Sequence, residues 1–508
     1  MISENFTPKQ RQQEQEQSQG TISFTKRPIS CYKIQTTPKN VNSQPIKRIN
    51  ATHWEFLGEW NLGPSPSLQQ LSAPLGSSRE IRKLNFQHVR TNQAHDKGLY
   101  SFSRRLESLH LLQKINIKFP DCSGVFDFGF QDLCQSLKRF SCLQDITLTF
   151  LLCFWVTDIG LYSLSEVFKR LPSLKSLAFV LASNSKVTDV GLSHITQSLK
   201  RLTSLEKLWL NFLHCSQVTD RRLSNLSRNL KNLHRLKSIN VEFSAYNQIT
   251  DTGLSDFSDS LKNFADLREL RLSFSSTKIT NSGLHKLAGE LNSLLALENL
   301  TLYFHLCSEV TDVGLSEVSD SLSKLTRLQN LNLLFSNSEL ITNAGILNLS
   351  KNLKGLTCLK GVCLCFEFCS EITDQGLYDL MKGLKELVLL ENLNIGLTRC
   401  SGITKRGICR FLKDLSCFAC LRDLSLNLCE CSQVDSEGLL MICEALKTLT
   451  LLEKIKLEYG TFQMQKFSGR SDIEQGLHYF GIFLSKLKVE EEKKPKIKFR
   501  TKGLCDAY

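Results

Sequence analysis

Val310-Thr311-Asp312-Val313-Gly314-Leu315 recurs, nearly unchanged, along most of the chain. It returns at Val156–Leu161, Val187–Leu192, Val218–Leu223, Ile249–Leu254, Ile279–Leu284, Ile341–Ile346, Ile372–Leu377, Ile403–Ile408 and Val434–Leu439. Its glycines fall at 98, 129, 160, 191, 253, 283, 314, 345, 376, 407 and 438, so the interval is 31 apart from one step of 30. Arg222 stands where one glycine is due. Self-similarity at a fixed period of this size predicts a solenoid, in which each unit buries its apolar flank against its neighbours.

The unit around residue 210 shows the local pattern. Leu208, Leu210 and Phe212 fall on alternate positions, as in a strand with one buried face. Cys215 and Val218 follow in a turn, and Asp220 is placed to cap a helix at its positive end. Leu223, Leu226, Leu230 and Leu233 then recur at helical spacing. Asp158, Asp189, Asp251, Asp312 and Asp374 are expected to be caps of the same kind, with Asn281 and Asn343 substituting. Gly160 and its equivalents are expected to let one helix start close to the next.

Leu-x-x-Leu-x-Leu followed by Cys-x-x-Ile/Val-Thr-Asp-x-Gly-Leu resembles the cysteine-containing leucine-rich repeat of ribonuclease-inhibitor-like and F-box-associated proteins, over about three quarters of the chain. The period of 31 is longer than is usual for that family. The resemblance implies an α/β leucine-rich-repeat horseshoe of about thirteen units, its parallel sheet concave and its helices convex. Strands about 4.8 Å apart give an inner arc on the order of 60 Å, which suits a large partner better than a small molecule.

Around the solenoid (81–460) the sequence suggests a disordered Gln/Ser/Lys-rich tail (1–50), an N-terminal cap (51–80) that includes Trp54, Phe56 and Trp60, a capping helix (461–490) and a basic tail (491–508). Cys505, fourth from the end, follows a basic run, but Asp506 and Tyr508 depart from a prenylation signal. No apolar run reaches membrane-span length, and no secretory leader is recognised at the start. The nineteen cysteines are therefore expected to be reduced thiols. A monomer in the cytoplasm, or in the nucleus, is the expectation.

The net charge of +13 is spread thinly. Residues 1–80 carry a surplus of three cations and residues 460–508 a surplus of four, which leaves six of the thirteen to the repeats. That density does not supply the many phosphate contacts of a nucleic-acid binder. Lys138, Lys169, Lys200, Lys231, Lys262, Lys354, Lys385 and Lys447 fall near helix C-termini, where cations offset the helix dipole. Stacked, they would form a basic stripe for an acidic or membrane surface. Cys417-Phe418-Ala419-Cys420 lacks the further ligands zinc requires. Nucleophile elbow, phosphate loop and zinc-protease motifs are all absent, so neither an enzyme nor a cofactor is expected.

Function is then expected on the outward strand positions and the loops above them. Most are neutral and polar, including Asn211 and Asn240, with Arg271 among the few charges. Trp209, beside Ala178 and Val180, has the profile of an interface anchor. Tyr303 with His305 is a second candidate, and Phe154-Trp155 a third. The leading expectation is a non-catalytic protein-binding scaffold. A substrate-recruiting subunit of a ubiquitin ligase, joined to its adaptor, is the alternative implied by the resemblance, although residues 40–80 show no F-box.

Overall fold

The computed structural model describes residues 46–50, 53–58, 82–88, 95–215, 217–243, 248–431, 452–460 and 496–501. They form one sheet whose strands follow chain order: β1 (Ile46–Asn50), β2 (His53–Gly58), β3 (Lys83–His88), β4 (Lys114–Phe119), β5 (Asp145–Phe150), β6 (Ser176–Leu181), β7 (Lys207–Asn211), β8 (Ser238–Glu242), β9 (Glu269–Ser273), β10 (Asn299–Tyr303), β11 (Asn330–Leu334), β12 (Gly361–Cys365), β13 (Asn392–Gly396), β14 (Asp423–Cys429), β15 (Lys454–Gly460) and β16 (Lys496–Thr501). The first pair is antiparallel and every later pair is parallel and in register. Helices alternate with strands from β3 to β14: α1 (Asp96–Leu106), α2 (Asp127–Leu137), α3 (Asp158–Phe168), α4 (Asp189–Leu199), α5 (Asp220–Leu230), α6 (Asp251–Ser258), α7 (Asn281–Leu291), α8 (Asp312–Leu322), α9 (Asn343–Leu353), α10 (Asp374–Leu384) and α11 (Lys405–Asp414). This is an α/β solenoid. A helix needs about 10 Å of width where a strand needs about 4.8 Å, so the sheet takes the inner side of the curve.

Two boundaries differ from the sequence reading. Residues 46–50, assigned to the tail, pair with β2, and residues 496–501 of the basic tail pair with β15. Alternating Lys496-Ile497-Lys498-Phe499 has the period of a strand, a signal obscured by its charge. Trp60, residues 461–490, Lys447 and Cys505 lie outside the described residues.

Inward-pointing strand residues, turn residues and one face of each helix make a continuous apolar core. Down its centre runs a file of rings. Phe212, Phe243, Phe274, Phe304, Phe335 and Phe366 stack in succession with centroids 5.6 to 6.5 Å apart. Each phenylalanine stands one residue past the end of its strand, so the rings recur at one repeat position and meet down the stack.

The aspartates are not the helix caps. Thr157, Thr188, Thr250, Thr280, Thr311, Thr342, Thr373 and Thr404 cap, their hydroxyls accepting the backbone N–H two residues on. Each aspartate occupies the first helical position and reaches into the following repeat. Asp312 accepts from the Thr342 N–H (2.8 Å), the Thr342 hydroxyl (2.7 Å) and the Gly345 N–H (3.0 Å). Asp127 does the same for Thr157 and Gly160. Asn281 and Asn343 keep the carbonyl half of the contact and donate from Nδ2 to the threonine hydroxyl. The glycine three residues into each helix permits this latch: a Cβ on Gly345 would sit 2.4 Å from Asp312 Oδ1.

A second repeating feature gives no sequence signal. Leu152, Ser183, His214, Ser276, Leu306, Asn337, Phe368, Arg399 and Glu430 share one repeat position, and all have φ between 53° and 62°. Their left-handed backbone turns the N–H toward the next repeat. Leu306, Asn337, Phe368 and Arg399 thus donate to the carbonyls of Ser336, Glu367, Thr398 and Cys429 at 2.7 to 2.9 Å. Only His214 and Asn337 are of types enriched in this conformation.

Arg222 disturbs the pattern. Its side chain is buried between α4 and α5, with Nη2 3.5 Å from Asp189 and Nη1 donating to Ser193 Oγ at 3.1 Å. Nε and Nη2 have no hydrogen-bond partner. The Thr219 N–H contact to Asp189 lengthens to 3.2 Å, and Thr219 makes no side-chain cap bond.

Candidate partner-binding face

The outward residues of each strand form files across the open sheet face, separated by the strand spacing. Much of this surface is paired within itself. Asn116 donates to Asn85 (2.9 Å), Asn332 to Thr301 (2.9 Å) and Asn394 to the Cys363 sulfur (3.2 Å). Asn211 is buried: its Nδ2 donates to Glu242 and its Oδ1 accepts from the Leu213 N–H. Glu242 also accepts from Arg271 Nε at 3.0 Å, and the Arg271 guanidinium lies 4.6 Å from the Tyr303 ring centre. Asn211, Glu242, Arg271 and Tyr303 therefore make one lateral network over β7–β10. His305 is half-buried, with Nδ1 3.3 Å from Asn337 Nδ2, and burial pulls its pKa below the ordinary histidine value. Asn211, Arg271, Tyr303 and His305 thus tie neighbouring repeats together, a role their polar and aromatic character did not reveal.

Trp209 differs. It is 37% exposed at the centre of β7, with Ala178 beside it on β6 and Asn240 beside it on β8. Ala178, Val180 and Ala182 are buried and supply an apolar floor. Asn240 Oδ1 is buried and has no donor among the described residues. An aromatic platform thus stands next to an unpaired acceptor.

The loops above β4–β6 add further apolar surface. Phe154 and Trp155 are 40% and 45% exposed. Trp155 stacks on Phe126 at 5.6 Å, and Lys186 Nζ lies 5.7 Å from its ring centre. Phe128, Ile159 and Val190, each the second residue of its helix, continue the exposed row over α2, α3 and α4. In sequence, that row is the variable residue of Thr-Asp-x-Gly and its relatives. Phe154-Trp155 follow β5 and Trp209 lies two repeats on, at β7, while Tyr303-His305 lie three repeats beyond Trp209, at β10.

The lysines behave as their positions suggest: Lys138, Lys169, Lys200, Lys231, Lys354 and Lys385 are C-cap residues. The turn cysteines are buried and donate weakly to carbonyls of the preceding repeat, Cys400 to Phe366 (3.2 Å) and Cys431 to Leu397 (3.1 Å). Burial pushes the thiols of Cys369 and Cys431 up to about 12 and that of Cys400 upward as well. Such thiols are poor nucleophiles. Cys363 goes the other way: a hydrogen bond from Cys365, helped by one from Asn394, lowers its pKa.

Among the described residues no group of three or more His, Cys, Asp or Glu side chains could hold a metal ion, and no helix is long and apolar enough to cross a membrane. No protein-family model matches the chain, and no curated protein matches it in sequence. The repeating parallel β-α units in a single sheet place it among α/β repeat solenoids.

Proposed function

We propose that this chain is a non-catalytic protein-binding scaffold of the cysteine-containing leucine-rich-repeat kind. It holds a partner polypeptide at the open sheet face around Trp209 and at the rim carrying Phe154 and Trp155. The observation that carries this reading is the exposed Trp209 ring beside the unpaired Asn240 acceptor, on a face whose other polar side chains largely satisfy one another. A partner apolar group packed on Trp209 removes ring and floor from water. Buried aromatic anchors of this type typically contribute 2 kcal/mol or more to binding.

The test places a photo-crosslinking amino acid at position 209, at 155, and at the exposed Leu347 on α9 as a control. Crosslinks to one common polypeptide from 209 and 155, absent from 347, are expected. Trp209→Ala should lower recovery of that polypeptide by roughly thirtyfold, the equivalent of about 2 kcal/mol. Equal crosslinking from Leu347, or unchanged recovery with Trp209→Ala, overturns the reading.

A further inference from the structure

Most cysteines of the turn file are sealed in the core, but two others face the open side. Cys363 and Cys365 alternate along β12, both half-buried, with sulfurs 4.0 Å apart. Hydrogen bonding on both edges, to β11 and β13, holds their strand. Gly396 lies opposite Cys365 in the neighbouring strand. A Cβ there would come within 3.0 Å of the Cys365 sulfur and 3.2 Å of Glu367 Oε1, so the glycine leaves room for both the sulfur and the carboxylate. Asn394 Nδ2 fixes the Cys363 sulfur from the side at 3.2 Å.

A disulfide fits this geometry poorly. Strand residues two apart have Cα atoms about 6.6 Å from each other, close to the upper limit of roughly 6.8 Å for a disulfide. Zinc would need four ligands, and the described residues offer no third. A cation bonded to each sulfur at about 2.3 Å spans sulfurs 4.0 Å apart with an angle of about 120° between the bonds. That is the bond angle of trigonal geometry. Two thiolates in a sparse ligand set favour a soft ion.

We infer that Cys363 and Cys365 form a two-thiolate site for a soft, thiophilic monovalent cation of the Cu(I) class. Both thiols release their protons to solvent as the sulfur–metal bonds form, and no electron is transferred. Nothing in this site depends on the partner-binding reading, since β12 is five strands from Trp209 on β7.

The test uses the full-length, reduced chain under anaerobic conditions, titrated with Cu(I) held by a chromophoric competitor such as bicinchoninate. One equivalent is expected to pass to the wild-type chain. Cys363→Ser and Cys365→Ser should each weaken that uptake at least tenfold, and Cys153→Ser, at a buried turn thiol, should leave it unchanged. On the unmodified chain, bound Cu(I) should shield Cys363 and Cys365 together from iodoacetamide, which mass mapping reads without any variant. No uptake by the wild type, equal uptake by either β12 variant, or alkylation of both thiols in the loaded chain overturns the inference.

Discussion

Replacing Arg222 by the glycine that its repeat position carries elsewhere is expected to stabilise the chain. The guanidinium is 1% exposed and leaves Nε and Nη2 without partners. Burial lowers its pKa well below the ordinary arginine value, to about 10, with Asp189 pulling in the other direction. A displacement of that size opposes the charged form by about 3 kcal/mol. Glycine would also let the residue 222 N–H reach Asp189 and let Thr219 cap α5, each worth about 1 kcal/mol. Against this stand the backbone freedom of glycine, about 1 kcal/mol, and the lost packing of the arginine stem. The expected net gain is about 2 kcal/mol. Because long repeat arrays need not unfold in one step, the appropriate assay is hydrogen exchange of the amides at the α4–α5 joint, supported by urea melts. Exchange at residues 219–223 should slow in Arg222→Gly. Arg222→Ala removes the charge but keeps the Cβ, and should recover only part of the gain. Faster exchange in both variants would refute the reasoning and make Arg222 a stabilising wedge.

Asp312→Ala removes an acceptor of three hydrogen bonds and is expected to cost about 2–3 kcal/mol, whereas Asp312→Asn should cost under about 1 kcal/mol, since Asn281 and Asn343 already serve this role; equal losses in chemical denaturation would contradict the latch. Gly345→Ala should cost about as much as Asp312→Ala, and the double variant should fall well short of the sum in a mutant cycle. Leu306→Asn, at a left-handed position, should stabilise by roughly 0.5–1 kcal/mol, and a lower melting temperature would count against strain there. Stability should also depend on pH at both extremes. His214 and His305 have lowered pKa values in the fold, so the unfolded chain takes up protons first and stability falls as pH drops through and below about 6.5. Cys369 and Cys431 have raised values, so the unfolded chain loses protons first and stability falls as pH rises above about 9. Urea midpoints that are flat from pH 5 to 10 would contradict both.

The architecture was readable because period, alternation and helical spacing all repeat, and core residues such as Leu302 and Phe304 advertise burial through pattern alone. The latch was half readable. Thr-Asp-x-Gly announces a helix start, but whether threonine or aspartate caps depends on where the next repeat's N–H groups point, and that is a tertiary fact. The left-handed file at Leu152, Leu306 and Phe368 was silent, because residues that normally avoid the conformation are held in it by hydrogen bonds to the adjacent turn. The candidate face was legible at Trp209 and Phe154-Trp155, where a large apolar side chain appears at an outward position. Arg271, Tyr303 and His305 look equally available in sequence, and only geometry shows that they are committed to one another and to Asn337.

The carboxylate latch points one way along the stack. Each described unit with Asp or Asn at its helix start hands an acceptor forward to the next, so the two ends are chemically unequal. Cutting the array from its leading side strips a helix start of its acceptor, whereas cutting from the trailing side merely returns a carboxylate to water. Lengthening by tandem duplication, in contrast, regenerates both halves of the contact wherever the cut is made, because giver and receiver stand one period apart. The joint at Arg222 keeps both threonine contacts to Asp189 but sets a buried guanidinium where other repeats carry glycine, which makes it the natural place for the stack to open first.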